Sequence, residues 1–233
     1  MSAPRASDKR SGDVSSHFWA ATFPFFETTL FIAPPVDGSP VAPTRLTVFD
    51  ADGEIVNEAA LEIEPGRVGI FELEQFLGGC KLEGGLKHAH LEVVSPPGCR
   101  HLCRMHSRSG ASLHVEAAAL SSHRSVFFPL RFARGHDTIV CFVNRGAEPA
   151  VVKMRLFVGS RNPESFLEVP AFGARMVSLG SEFGEFVGGG EADIGQGYVR
   201  ISAKGGADLG VHLIERVIAR DERTEGDAFA AVG

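Results

Sequence analysis

Tryptophan and tyrosine are almost missing from this chain of 233 residues, where Trp19 and Tyr198 stand beside 18 phenylalanines. Such a set suits a dry core better than an aromatic binding platform. Cysteine is scarce too. Cys80, Cys99, Cys103 and Cys141 fall short of a disulfide framework and read as reduced thiols in a cytoplasmic protein. No stretch approaches the roughly 18 apolar residues of a membrane span. The polar start MSAPRASDKRSGDVSS lacks the apolar segment of a secretory signal, so no membrane insertion is expected. With 23 basic against 29 acidic residues the net charge is −6, which argues against a general polyanion binder.

Catalytic signatures are lacking as well. There is no G-x-S-x-G, no H-E-x-x-H and no P-loop. His114-Val115-Glu116 has the His-x-Glu form of a zinc deaminase, but no Pro-Cys-x-x-Cys follows it. GGGEADIGQG, from Gly188, has neither Rossmann spacing nor a following helix and reads as a flexible loop. A Cys103–His90 dyad would lack an orienting group and oxyanion donors. The chain is therefore read as non-enzymatic and without a cofactor.

What is present is alternation. VKMRLFV sets Val152, Met154, Leu156 and Val158 on one face and Lys153 and Arg155 on the other, while TRLTVFD points Leu46 and Val48 inward. Turn clusters such as DADGE, SPPG, NRGAEP and KGGAD punctuate these runs. HVEAAAL and LEQFLGG are too short to build a helical layer. The fold class is all-β.

The pattern also repeats. TTLFIAPPVDGSPVAPTRLTVFDADGEIVNEAALEIEPGRVGIFELEQF overlays DTIVCFVNRGAEPAVVKMRLFVGSRNPESFLEVPAFGARMVSLGSEF. The overlay pairs Thr29 with Thr138, Arg45 with Arg155, Leu46 with Leu156, Pro65 with Pro170 and, near its end, Leu73 with Leu179. An offset of this size is one small sandwich. Two tandem antiparallel β-sandwiches related by internal duplication are expected, at 17–120 and 123–220, packed together across a short connection. Residues 1–16 are expected to be disordered and 221–233 to form an acidic flexible tail.

Each copy is expected to close on a hairpin, LKHAHLEVVSPPGCRHLCRM in the first and GYVRISAKGGADLGVHLIERV in the second. If SPPG is the turn, Glu92 pairs with His101 and His90 with Cys103. His88, His90, Glu92, His101 and Cys103 would then share one face. Those donors suit zinc, which makes His88, His90, His101 and Cys103 candidate ligands. A slip of one residue dissolves the patch. The preferred reading takes the cysteines as small hydrophobes and the histidines as surface polar groups.

Charge is unevenly spread. Phe49–Glu92 carries ten acids against three bases, whereas Cys99–His136 carries six arginines and five histidines against one acid. Arg100, Arg104, Arg108, Arg124, Arg131 and Arg134 are candidate partner- or anion-binding residues. They admit three readings: an anion-facing surface for phosphate, an acidic partner or nucleic acid; a self-complementary contact between copies; or solvated strand faces that keep the sandwich soluble.

HDTIVCFVNRGAEPAVVKMRLFV followed by FLEVPAFGARMVSLGSEF resembles the sensory rhodopsin transducer family and related small bacterial β-sandwich proteins. The resembling features are a polar residue before an apolar strand, an Asn-containing turn, a long edge strand and the Leu-x-Val-Pro-Ala run. LEIEPGRVGIFEL follows that run more loosely, and MHSRSGAS resembles the family's closing His-containing strand. The resemblance implies a sandwich that oligomerises and docks onto partners; ligand and DNA roles have been proposed in that family. This chain departs from it by being duplicated and by its Cys/His-rich segment, so the family's membrane photoreceptor is not carried over. The expectation is an adaptor-like interaction or assembly module that forms homo-oligomers and has a protein partner. Nucleic acid is a lesser candidate, and the alternative is a small-ligand or metal sensor using the His/Cys segment of the first copy.

Overall fold

The computed structural model describes residues 12–22, 26–36, 43–83, 86–107, 112–115, 118–120, 125–132, 136–184, 195–204, 207–217 and 228–232. Alternating side chains build sheets where one face meets a core. Val152, Met154 and Leu156 are buried while Lys153 and Arg155 turn outward. Every pairing among the described strands is antiparallel.

Four sheets result. The first inner sheet runs β1 (Val14–Thr22), β7 (Leu86–Ser95), β3 (Thr44–Phe49), β4 (Ile55–Leu61), with β6 (Leu82–Glu83) beside β7. The first outer sheet runs β5 (Gly69–Glu72), β2 (Phe26–Ala33), β8 (Arg100–Ser107), β9 (Ser112–Val115). In the second half the inner sheet runs β10 (Ala118–Leu120), β17 (Leu209–Val217), β12 (His136–Asn144), β15 (Ala174–Ser178), with β18 (Ala228–Val232) also on β17. The second outer sheet runs β11 (Ser125–Phe132), β16 (Gly195–Ala203), β13 (Ala150–Phe157), β14 (Glu164–Val169). A single-turn helix α1 (Leu179–Glu182) follows β15, as the 3-10 turn Leu73–Gln75 follows β5. No helix among the described residues is long and apolar enough to cross a membrane.

The two halves repeat one strand order. β1-β7-β3-β4 matches β11-β16-β13-β14, and β5-β2-β8-β9 matches β15-β12-β17-β18, with β10 added beside β17. The paired residues of the sequence overlay fall on matching elements, down to Leu73 and Leu179, each buried at the start of the short helical turn.

The sheets stack in the order first outer, first inner, second inner, second outer. Along β12, Ile139, Cys141 and Val143 join Trp19, Ala21 and Leu91 in one hydrophobic cluster, while Val140 and Phe142 join Val152, Leu156 and Val199 in another. The central strands of both inner sheets are thus buried on both faces, with β1 packed on β12 and β17 and β7 on β15. Each fully buried large apolar side chain is worth about 1.5–3 kcal/mol, so this middle layer holds the halves together.

Turns lock the joint. Asp50 Oδ1 accepts the amides of Asp52 and Glu54, each at 3.0 Å, and shapes a turn whose Gly53 has φ +86°. A Cβ at Gly53 would stand 1.9 Å from the Ala171 carbonyl oxygen, and one at Gly173 would stand 2.5 Å from that of Ala51. Across this approach the Ala174 amide donates to Ala51 O at 3.1 Å and Arg175 donates to the same oxygen at 2.7 Å. Asn144 frames the opposite turn by donating to the carbonyls of Glu148 (2.8 Å) and Pro170 (2.9 Å).

The segment boundaries differ from expectation in three places. β1 begins at Val14, inside the segment expected to be disordered. β10, assigned to the first sandwich, pairs with β17 of the second half. Residues 228–232 of the expected tail form β18, because the apolar run AFAAV completes the free edge of β17.

Candidate functional site

The SPPG segment is not a hairpin turn. β7 lies in the first inner sheet between β1 and β3, and β8 lies in the first outer sheet between β2 and β9, so Ser95–Gly98 carries the chain from one layer to the other. Closing a sandwich requires such a crossing, and two successive prolines, which have no N–H, cannot sustain a ladder there. The expected pairs of Glu92 with His101 and His90 with Cys103 therefore do not form. Glu92 stands opposite His17 and Thr47, His90 opposite Trp19 and Phe49, and Cys103 opposite Leu30 and Val115. β16 and β17, the expected hairpin of the second copy, are likewise in different sheets.

The four candidate zinc ligands are accordingly divided. His88 and His90 face the joint between the halves, whereas His101 and Cys103 face the first core. Among the described residues no group of three or more His, Cys, Asp or Glu side chains is placed to hold a metal ion. His90 Nδ1 lies 2.7 Å from the Phe172 carbonyl and its Nε2 lies 2.9 Å from His17 Nδ1. A carbonyl only accepts, so the direction of the chain is set: His90 Nδ1–H donates to Phe172, and His17 Nδ1–H donates to His90 Nε2. The Ser15 hydroxyl stands 3.2 Å from His17 Nε2 and 3.4 Å from Glu92. Phe172, in the left-handed region at φ 55°, stacks on Phe49 at 5.4 Å, and Phe49 stacks on His90 at 5.2 Å. His90 is thus a neutral polar staple between layers. Burial pushes its pKa down to about 4, against the pull of the Phe172 hydrogen bond.

His101 is bound between Ser16 Oγ (2.8 Å) and Ser95 Oγ (2.7 Å), and burial lowers its pKa to about 4 as well. The four cysteines are buried and unpaired. Burial raises the thiol of Cys103 to about 12 and that of Cys80 to about 11, so both stay protonated at neutral pH and make poor nucleophiles or ligands.

The arginines divide as well. Arg100 and Arg104 project from β8 on the outward face of the first outer sheet, Arg104 beside Thr29 and His114. Arg131 sits on β11 opposite Gln196, but its side chain lies outside the described residues, as do Arg108, Arg124 and Arg134 entirely.

A different surface was missed from the sequence: the outward face of the second outer sheet. Phe127, Phe166 and Tyr198 are 57%, 55% and 40% exposed there. Tyr198 stacks on Phe157 at 4.4 Å. Cations lie over the rings: Arg200 over Phe127 at 5.7 Å, Arg155 over Phe157 at 5.1 Å, and Lys153 and Lys204 over Phe166 at 5.6 and 5.5 Å. Glu164 is held by Lys153 at 2.8 Å, which keeps its carboxyl below the ordinary range. Register explains the ladder, since Phe127, Arg200, Arg155 and Glu164 form one row across β11, β16, β13 and β14. The signal in the sequence was phase. In SVFFPLRF, GYVRISA and ESFLEV these rings share the alternation phase of Arg200, Glu164 and Glu168, not that of the buried Val199, Ile201 and Val169.

No family model matches the sequence, and no curated protein does. Among solved structures, the chain has 9% identity and a TM-score of 0.22 to an anti-sigma factor domain-containing protein, over 91% of this chain and 81% of that one. It has 11% identity and a TM-score of 0.20 to the apo form of a Pleurotus ostreatus lectin, over 95% and 76%. Likenesses at this level carry no functional argument.

Proposed function

We propose that this protein is a non-enzymatic, cytoplasmic interaction and assembly module, a rigid stack of sheets whose working surface is the outward face of the second outer sheet. The observation that carries this reading is the set of exposed rings of Phe127, Phe166 and Tyr198 interleaved with Lys153, Arg155, Arg200 and Lys204. The outward face of an antiparallel sheet is ordinarily polar, and aromatic residues with arginine are the side chains that protein contact surfaces enrich. The imidazoles of His90 and His101 are engaged in hydrogen bonds between layers and strands, which supports a structural use of the His/Cys segment. Docking by a β-sandwich is also what the resemblance to the sensory rhodopsin transducer family implies.

A photo-cross-linking residue in place of Phe166 tests this in the producing cells. The expected result is an adduct of defined mass that disappears when Phe127→Glu and Tyr198→Glu are added. Those two exposed substitutions together should leave Tm within about 3 °C, because each surface change costs about 0.5 kcal/mol. The absence of any adduct contradicts the reading.

A further inference from the structure

The joint between the halves is a contact of unlike faces. By strand order the second inner sheet is the counterpart of the first outer sheet, and the second outer sheet is the counterpart of the first inner sheet. Inside the chain, the first inner sheet docks its outward face on the second inner sheet. A contact between unlike faces is heterologous, so it uses a different face on each side. One face of each kind is left free, at opposite ends of the stack.

Both free faces carry apolar side chains where a solvated sheet would carry polar ones. On the second outer sheet these are the rings described above. On the first outer sheet Ile70, Phe31 and Leu102 form a row across β5, β2 and β8, with Ile70 61% exposed. Beside that row a shallow depression is lined by Ile70, Phe71, Glu72, Glu74 and Gln75. Its lining combines the apolar Ile70 and Phe71 with Glu72 and Glu74, and Arg100 and Arg104 project from β8 on the same sheet face; the opposite end presents aromatic rings flanked by four cations, two of which also hold Glu164. The β4–β5 turn on this side, the counterpart of the docked Pro170–Gly173 turn, leaves open space around Gly66, while Gly173 is in close contact.

We infer that the second outer sheet of one chain docks on the first outer sheet of the next, repeating between chains the contact of unlike faces that joins the halves and extending the sheet stack head to tail through copies of this chain. The inference rests on the interaction-module reading and names its partner. Sedimentation velocity on the full chain across a concentration series tests it with two variants. Phe127→Glu/Tyr198→Glu blocks one face and Ile70→Lys blocks the other; all three sites are exposed. Wild-type protein is expected to grow beyond a dimer, and each variant alone is expected to associate at least ten-fold more weakly. An equimolar mixture of the two variants should form a 1:1 dimer and nothing larger, since each supplies the face that the other lacks. An association that survives Ile70→Lys but not Phe127→Glu/Tyr198→Glu overturns the head-to-tail arrangement in favour of a contact between like faces. A wild-type chain that stays monomeric throughout overturns self-docking altogether. In that event the cross-linking result, read in cells, still decides whether the face serves another partner such as an acidic protein or an oligonucleotide.

Discussion

Gly53→Ala is expected to destabilise the protein by about 3 kcal/mol and to lower Tm by roughly 9 °C, an effect out of proportion to one methyl group. Two causes add. The residue sits at φ +86°, where a Cβ is strained, and the new atom would be built 1.9 Å from the Ala171 carbonyl oxygen. That oxygen belongs to the other half, so relief requires the turn Asp50–Glu54 to lift from the Pro170–Gly173 turn and release the hydrogen bonds that Ala51 O accepts there. Gly66→Ala is the matching control. It carries a positive φ of 72° but meets nothing within 4 Å, so only strain of about 1 kcal/mol applies. Thermal unfolding of the two variants side by side isolates the joint, and equal losses would show that the halves do not depend on it.

Acid is expected to weaken the fold well before the carboxylates titrate. His90 and His101 have folded-state pKa values lowered to about 4, against about 6.5 in an unfolded chain. A lowered histidine pKa means that the native state binds fewer protons than the unfolded state between these values. The stability is therefore fully present above about pH 6.5 and is lost as pH falls toward 4. At pH 5 the more deeply buried His90 accounts for about 2 kcal/mol, and His101, nearer solvent, for less. Urea unfolding at pH 7.5, 6 and 5 should show a falling midpoint. His90→Asn should be less stable at pH 7.5 yet show a flatter dependence. A midpoint unchanged from pH 7.5 to 5 would mean that neither imidazole is buried as described.

The fold class was legible because alternation in β13 and β14 is a local consequence of one buried face. The stacking of the halves was not read, although its signal was present. TIVCFV in β12 and HFWAA in β1 break the alternation and run apolar, as strands do when both faces are covered. His88 and His90 sit within such a doubly buried strand, so their conspicuous spacing reflects a staple between layers and not a ligand set. Their separation from His101 and Cys103 could not be read from spacing, because a Pro-Pro turn fits a hairpin and a crossing between sheets equally well until the partner strands are known. The exposed rings were hidden by composition: 18 phenylalanines suggest a core until the phase of Phe127 and Phe166 is compared with that of their neighbours.

The docking face is tested most directly by hydroxyl-radical footprinting of side chains, in dilute purified protein and in the producing cells. Phe127, Phe166 and Tyr198 should oxidise readily in the dilute protein and be protected several-fold in cells, while the exposed Val36 and Ile55 react alike in both. Equal reactivity of the three rings in the two settings would contradict a docking role for the second outer sheet.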